Sequence, residues 1–190
     1  MQVIVDVGAN IGLASAYFRM YYPEAVIHCF ECDPFAVHLL KQNAISIKEC
    51  QVYSVGLYSE DISKVFYTGL ESTVHSSIHE NPYGGFPQSL QFKKASSYVR
   101  SIGIERIDIL KIDTEGCELQ ILKDLFSCIG MIKIIYLEFH SEEDRRLIDQ
   151  LLSSTHVLWQ GDVLNAHRGN LCYLHRSYVP QVPWAEPLGR

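Results

Sequence analysis

An apolar segment near the start of the chain runs directly into a glycine-containing turn, at residues 3–12 with the sequence VIVDVGANIG. Such apolar runs are typical of parallel strands that helices cover on both faces. Gly8 and Gly12 lack the Cβ atom that would keep the backbone and a ligand apart. The segment therefore predicts a strand, a tight turn and a helix, the arrangement of a nucleotide-binding crevice.

The turn departs from the dinucleotide fingerprint at two positions. Asn10 stands where that motif has its second glycine, and Asp6 lies two residues before Gly8, where the NAD motif usually has an apolar residue. Both departures favour S-adenosylmethionine over NAD, and they make Asp6, Gly8, Asn10 and Gly12 predicted cofactor contacts. A tight corner with a purely structural role would use the same glycines, so that alternative stays open.

A second acidic position follows at the spacing that nucleoside sites require. The β-rich run at residues 25–30 ends in Glu31, about 20 residues after the turn, where a carboxylate can accept both ribose hydroxyls. The alternative is a solvated carboxylate at a strand end. Cys32, Gly56 and Asp113 are further predicted cofactor contacts. Asp33 before Pro34 is predicted to cap the next helix.

Strand and helix patterns alternate along most of the chain. This rhythm predicts an α/β fold with a doubly wound, mostly parallel sheet, in which the strands that carry Asp6 and Asp113 are neighbours at the point where strand order reverses. Residues 165–170 are predicted to turn the last two strands into an antiparallel hairpin. The predicted strands are 2–7, 26–31, 51–57, 63–68, 107–113, 132–140, 156–161 and 170–176, and the predicted helices are 12–21, 34–46, 95–102, 117–128 and 142–153.

Lys111 lies inside an apolar run, where a buried ammonium group needs a carboxylate partner. Glu138 on the adjacent strand, Asp113 or Glu115 could supply it. We predict a Lys111–Glu138 ion pair, and the alternative is a lysine that extends its charged end to solvent.

Four motifs together resemble the FkbM-type family of S-adenosylmethionine-dependent methyltransferases: DVGANIG at 6–12, FECDP at 30–34, LKIDTEGCE at 110–118 and IIYLEFH at 134–140. The resemblance covers most of residues 2–140. It implies a Rossmann-like class I methyltransferase fold, S-adenosylmethionine as the cofactor, and O-methylation of a sugar or a small natural product. A catalytically silent nucleoside-binding or interaction module and an NAD-dependent oxidoreductase remain the alternatives.

Methyl transfer from a sulfonium centre is an in-line displacement, so the protein has to align the acceptor and remove a proton from its hydroxyl. Asp113 and His140 are the predicted catalytic bases because both stand at strand ends, and Glu115 comes next. A neutral His140 base predicts a rate that rises through about pH 6–7. A divalent ion on Asp113, Glu138 and His140 is a weak alternative, and no metal is assigned.

The segment from Gly69 to Phe92 breaks the alternation and is rich in Ser, His, Pro and Gly. Long connections of this kind are often functional, so we predict a lid or acceptor-binding loop. Within it, His75, His79 and Tyr83 are predicted substrate contacts, although exposed histidines without a role fit the pattern equally well. The single predicted domain covers residues 1–178, followed by a Pro-rich tail at 179–190.

Composition limits the class of protein further. The chain has 190 residues, 47% of them apolar, which suits one domain with a sizeable core. Acidic residues outnumber basic residues 22 to 16, so we expect a small-molecule acceptor and neither a nucleic acid nor a membrane as partner.

No apolar stretch reaches the roughly 20 residues of a membrane span, and the first strand leaves no room for a signal peptide, which predicts a cytoplasmic location.

The six cysteines are scattered, and a chain this apolar does not need disulfides, so we expect reduced thiols. Cys29 and Cys32 have the spacing of half a zinc site. Only His75 and His79 could complete four ligands, so structural zinc is not expected.

Overall fold

Two sheets organise the part of the chain that the computed structural model describes, residues 2–68 and 86–179. The described strands are β1 (Val3–Val7), β2 (Val26–Phe30), β3 (Cys50–Tyr53), β4 (Gly56–Tyr58), β5 (Ile62–Thr68), β6 (Phe86–Lys94), β7 (Ile109–Ile112), β8 (Ile134–Phe139), β9 (His156–Asn165) and β10 (Arg168–His175). The described helices are α1 (Leu13–Tyr21), α2 (Pro34–Ala44), α3 (Ala95–Ser101), α4 (Glu118–Asp124), α5 (Phe126–Ile129) and α6 (Glu142–Leu152), and a 3-10 turn follows at Arg176–Tyr178.

The main sheet has seven strands in the order β3-β2-β1-β7-β8-β10-β9. The first five pair in parallel, and β10 pairs antiparallel with both β8 and β9. The predicted doubly wound sheet and its closing hairpin are therefore confirmed. Strand order reverses between β1 and β7, so the carboxyl ends of these two strands flank the crevice where ligands bind in such folds.

Alternation along the central strands supplies apolar side chains to both faces of the sheet. Val5 and Val7 pack into one buried cluster, whereas Ile4 belongs to the cluster on the other face. Phe18 from α1 and Leu40 from α2 complete the second cluster. Because successive strand residues point to opposite faces, a nearly continuous apolar strand fits only a sheet that is covered on both sides.

The strand predicted at 51–57 is two strands in different sheets. β3 lies at the edge of the main sheet, and the chain then turns, with the Val55 amide donating to the Tyr53 carbonyl at 2.9 Å. β4 joins a second sheet with the order β4-β6-β5. The helix predicted at 117–128 is likewise divided, into α4 and α5.

Part of the predicted acceptor loop at 69–92 is wrong, because residues 86–94 form β6, which pairs antiparallel with β5. Leu90 and Phe92 are buried while Ser89 and Gln91 are exposed, the alternation of a half-buried strand. The other residues of that loop, 69–85, lie outside the described residues, and so do His75, His79 and Tyr83.

The residues at the start of α2 cap the helix as the sequence predicts. Asp33 caps α2, with its Oδ1 accepting from the Phe35 amide at 2.8 Å and the Ala36 amide at 3.4 Å. Pro34 occupies the first helical turn. The longest described helices, α2 and α6, have 11 residues each, and no helix in the described ranges is long and apolar enough to cross a bilayer.

Gly8 allows the ends of β1 and β7 to approach each other. Its φ is +72°, and a Cβ atom at this position would lie 1.7 Å from the carbonyl oxygen of Asp113. The sequence assigned this space to a ligand. In the structure, the chain's own backbone fills it, so the glycine is required by the fold itself.

We expect Gly8→Ala to destabilise the protein by at least about 2 kcal/mol, since the methyl group meets backbone that cannot rotate away. Denaturant unfolding measures the change. Gly103→Ala is the matched control, because Gly103 also has a positive φ, +83°, but nothing lies within 4 Å of its Cβ position. Equal losses in both variants would show that left-handed strain alone, and not the contact with Asp113, makes Gly8 necessary.

Candidate functional site

The crevice at the carboxyl ends of β1, β2, β7 and β8 collects most of the described residues that the sequence singled out. The turn at residues 8–12 follows β1, Glu31 follows β2, Asp113 follows β7 and His140 follows β8. Parallel strands bring these positions to one edge of the sheet although they are far apart in sequence.

Hydrogen bonds from three directions hold the glycine turn. The amides of Gly8 and Ala9 donate to the Phe30 carbonyl at 2.9 and 3.1 Å, and the Asn10 amide donates to Glu31 Oε2 at 2.9 Å. From β7, Lys111 Nζ donates to the Gly8 carbonyl at 2.7 Å. The turn is therefore already ordered in the protein alone.

Glu31 is both a structural clamp and the candidate ribose acceptor. Its Oε1 accepts from the amides of Cys32 at 2.7 Å and Asp33 at 2.8 Å, in addition to the bond from Asn10 to Oε2. A carboxylate has about four acceptor positions, so one position on Oε2 remains for a ligand rather than the two that the sequence predicted. Burial raises the pKa of Glu31, and the amide hydrogen bonds offset this only in part.

A buried ion pair lies beneath the turn. Asp6 has no exposed surface, faces Lys111 directly across β1 and β7, and lies 3.2 Å from Lys111 Nζ. Ser15 donates its hydroxyl to the other Asp6 oxygen at 2.6 Å. Burial alone would lower the pKa of Lys111, but Asp6 and Asp113 outweigh it and raise that pKa, so the lysine stays charged.

The predicted Lys111–Glu138 pair is wrong. Arg168 from β10 binds the Glu138 carboxylate instead, while Lys111 turns toward β1 and lies 3.6 Å from Asp113 Oδ2. The cause is Asp6, a fully buried carboxylate that needs a cation and has Lys111 opposite it in register. Asp6 thus supports the turn from below and does not line the surface of the crevice.

A group of charged side chains, which we call the carboxylate–histidine cluster, lies at the ends of β7 and β8. His140 Nε2 lies 3.0 Å from Glu115 Oε2 and 3.6 Å from Glu138 Oε1, and His140 Nδ1 lies 3.2 Å from Glu118 Oε1. The cluster consists of Asp113, Glu115, Glu118, Glu138 and His140. Asp113, Glu115 and His140 offer ligand atoms that all lie within 4.8 Å of one another.

Glu118 is the member that sequence reasoning missed as a site residue, because an acid in the first turn of a helix has an ordinary explanation. Its side chain is 1% exposed. Glu118 Oε1 accepts from the Thr114 amide at 2.9 Å, the Thr114 hydroxyl at 3.0 Å and the Gly116 amide at 3.1 Å. Glu118 therefore holds both the turn after β7 and the ring of His140.

The pKa shifts of the two predicted bases, His140 and Asp113, indicate different protonation states. Burial alone would lower the pKa of His140, but Glu115 and Glu118 outweigh it and raise the pKa to about 10. This pKa favours a protonated His140 at neutral pH in the protein alone, which argues against a neutral imidazole base and a rate that rises through pH 6–7. Burial and the nearby carboxylates of Glu138 and Glu115 raise the pKa of Asp113 despite Lys111, so Asp113 is the better proton acceptor.

The remaining predicted contacts pack against the chain itself. A Cβ atom at Gly12 would lie 2.8 Å from Leu40 Cδ1, and one at Gly56 would lie 2.5 Å from the Phe92 ring. The same position at Gly56 is 3.3 Å from Cys32 Sγ, which places Cys32 beside the start of β4. The space beside these two glycines is therefore filled by the chain's own side chains.

The raised pKa of His140 predicts a pH dependence of stability. Because the folded-state pKa of about 10 lies above the usual 6.5, the stabilisation is complete below pH 6.5 and is lost as pH rises toward 10. Urea unfolding in a chelating buffer should show that the stability advantage of the wild type over His140→Gln shrinks across this range. An advantage that stays constant from pH 6.5 to 10 would contradict the assigned charge.

Comparisons with known proteins agree with this geometry. A profile of the Methyltransferase FkbM domain matches residues 6–160. Similar curated proteins include Methyltransferase sdnD of Sordaria araneosa, 29% identical over 63% of this chain and 59% of the relative. The 2-O-methyltransferase NoeI of Sinorhizobium fredii is 22% identical over 74% of this chain and 64% of the relative. The chain thus spans less than two thirds of the length of these relatives.

Solved structures give the same fold at low sequence identity. An rRNA methylase from Streptococcus thermophilus superposes with a TM-score of 0.54 at 9% identity, covering 92% of this chain and 87% of that chain. TrmK of M. capricolum, in complex with S-adenosyl-homocysteine, has a TM-score of 0.53 at 11% identity and covers 92% of this chain and 62% of that one. The fold is that of class I methyltransferases. With the profile matching most of its length, the chain belongs to the FkbM methyltransferase family.

Proposed function

We infer that this chain binds S-adenosylmethionine in the crevice and transfers its methyl group to a hydroxyl of a small molecule. The observation that carries the proposal is the clamp between Glu31 and the glycine turn, where an acid at the end of β2 accepts from the Asn10 amide at 2.9 Å. This clamp holds a carboxylate acceptor at the carboxyl end of β2, the edge of the sheet where ligands bind in such folds.

The residues present fit that cofactor. Glu31 Oε2 keeps one acceptor position for a ribose hydroxyl. Asp113, Glu115 and Glu138 give the far side of the crevice a negative character, which suits a ligand with a positively charged sulfur. When bound, S-adenosylmethionine supplies an electrophilic methyl group, and the protein has to bring an oxygen nucleophile into line with it.

In the chain alone, Asp113 is the side chain best able to accept the hydroxyl proton. It lies at the carboxyl end of β7, its side chain is 33% exposed, and its pKa is raised mainly by burial. His140 carries a proton and positions Glu115 and Glu118 through contacts of 3.0 and 3.2 Å. These residues therefore order the acceptor side of the crevice.

We propose a sugar or another small natural product as the acceptor. The relative NoeI is named as a 2-O-methyltransferase, which supports oxygen as the methylated atom. The net charge of −6 argues against duplex nucleic acid or an anionic membrane as partner, and a cytoplasmic location is part of the same proposal.

Calorimetry with S-adenosylhomocysteine tests the cofactor assignment. Glu31→Gln should weaken binding by about 1.5–3 kcal/mol, the value of a hydrogen bond to a charged acceptor. Glu24→Gln is the control, since Glu24 is an exposed carboxylate paired with Lys48 on the surface. Equal affinity for NAD, or unchanged binding in Glu31→Gln, would overturn the assignment.

Turnover tests the acceptor side, using methyl-labelled cofactor and a panel of glycosides and small hydroxylated natural products. Asp113→Asn should lower the rate by roughly 10²–10⁴ while cofactor affinity stays within a few-fold. Glu105→Gln removes an exposed carboxylate before β7, at the opposite edge of the sheet, and should leave both quantities unchanged. A wild-type rate in Asp113→Asn would mean that alignment alone drives the transfer.

A further inference from the structure

We propose that Asp113, Glu115 and His140 form a binding site for a first-row divalent metal cation at the acceptor end of the crevice. One ligand atom from each residue lies within 4.8 Å of the other two. Binding of the cation follows from these residues alone, and its catalytic meaning rests on the function proposed above.

The ring of His140 is oriented as a metal ligand requires. Its Nδ1 lies 3.2 Å from Glu118 Oε1, and the Thr114 and Gly116 hydrogen bonds fix that carboxylate. This leaves Nε2 3.0 Å from Glu115 Oε2 and 3.6 Å from Glu138 Oε1, with a carboxylate oxygen of Asp113 in the same group of ligand atoms. Histidine ligands in metal sites commonly donate their other nitrogen to a buried carboxylate in this way, which fixes the tautomer and the ring.

Nε2 of His140 is buried and has no well-directed hydrogen bond to any group in the part of the chain that the structure describes. Glu115 Oε2 is only 3.0 Å away but lies off the line of an N–H donor. A buried polar atom in this state is costly unless a further group satisfies it. A cation between the two atoms would satisfy both.

The charge balance also favours a cation. Five carboxylates, Asp6, Asp113, Glu115, Glu118 and Glu138, are neighbours of two permanent cations, Lys111 and Arg168. Lys111 is committed to Asp6, and Arg168 binds Glu138 and reaches Glu115 only at 3.7 Å. His140 and Lys111 also lie near Glu115 and Asp113, and a divalent ion bound to the neutral imidazole would replace its proton as the positive charge between these carboxylates.

The distances fit a small shift of flexible side chains. First-row cations hold nitrogen and oxygen donors at about 2.0–2.2 Å, so donors that share an ion are about 3–3.5 Å apart. His140 and Glu115 already meet that spacing at 3.0 Å. No separation in the set exceeds 4.8 Å, so the largest movement needed is about 1.3–1.8 Å, and Asp113 and Glu115 are 33% and 27% exposed, which leaves these side chains room to move.

The donor set indicates which cations bind. One imidazole with two carboxylates suits Mn²⁺, Fe²⁺, Co²⁺ or Zn²⁺ better than Mg²⁺ or Ca²⁺, which prefer oxygen ligands throughout. In the reaction, the acceptor hydroxyl would bind the cation, which lowers its pKa so that the proton passes to solvent. Methyl transfer would form the O–CH₃ bond as the S–CH₃ bond breaks, giving a methyl ether and S-adenosylhomocysteine. With the cation bound, Asp113 would hold the cation, whereas in the chain alone it is the proposed proton acceptor.

Titration with Mn²⁺ tests the site without cofactor or acceptor. Because the sharp EPR spectrum of free Mn²⁺ is broadened on binding, its loss gives the stoichiometry and affinity directly. We expect one Mn²⁺ per chain and weaker binding of Mg²⁺ in competition. Asp113→Asn, Glu115→Gln and His140→Gln should each weaken Mn²⁺ binding by at least about tenfold, and Glu118→Gln by about 10–100-fold through loss of ring orientation.

Glu105→Gln is the matched control, since it removes one carboxylate far from the cluster and should leave Mn²⁺ binding unchanged. Circular dichroism of each variant separates loss of the site from loss of the fold, and Glu115→Gln serves if Asp113→Asn unfolds. Absence of Mn²⁺ binding, or equal binding in all folded variants, would overturn the metal site. Binding of S-adenosylhomocysteine in the same samples then decides separately whether the proposed function stands.

Discussion

The buried ion pair between Asp6 and Lys111 is the interaction on which the crevice depends. It joins the two central strands at the point where strand order reverses, and Lys111 also donates to the Gly8 carbonyl at 2.7 Å. Loss of one partner from such a pair leaves an uncompensated charge in the interior, which typically costs 3–5 kcal/mol. The pair therefore links the stability of the sheet to the shape of the turn above it.

Charge is arranged differently on the two sides of the crevice. On the side of Glu31, three backbone amides donate hydrogen bonds to the carboxylate. These bonds hold Glu31 in place and leave it one acceptor position. On the side of Asp113, carboxylates crowd around one histidine and raise its pKa to about 10. The Glu31 side can therefore accept a hydrogen bond from a ligand in one defined direction. The Asp113 side has an excess of carboxylates, which favours a cationic or proton-donating ligand.

Short-range signals in the sequence predict the fold well. The cap at Asp33, the glycine turn and the adjacency of the strands that carry Asp6 and Asp113 all follow from local patterns and from the rules of parallel sheets. The partner of Lys111 does not, because strand register decides whether Asp6 or Glu138 lies within reach, and no local pattern specifies register. The role of Glu118 cannot be predicted from the sequence for a related reason. It depends on the chain folding back at residues 114–116, where the backbone amides donate to the Glu118 carboxylate.

The close approach of Gly8 to the carbonyl of Asp113 has a consequence for how the crevice of this chain can change. The backbone that follows β1 and the backbone that carries the candidate acceptor residue are in direct contact, so neither can shift without the other. The ends of β1 and β7 are therefore held at a fixed spacing by this backbone contact. Under the proposed function, selectivity for a new substrate has to arise in segments attached to these two strand ends, because a change in their spacing would disturb the sites of methyl donor and acceptor together.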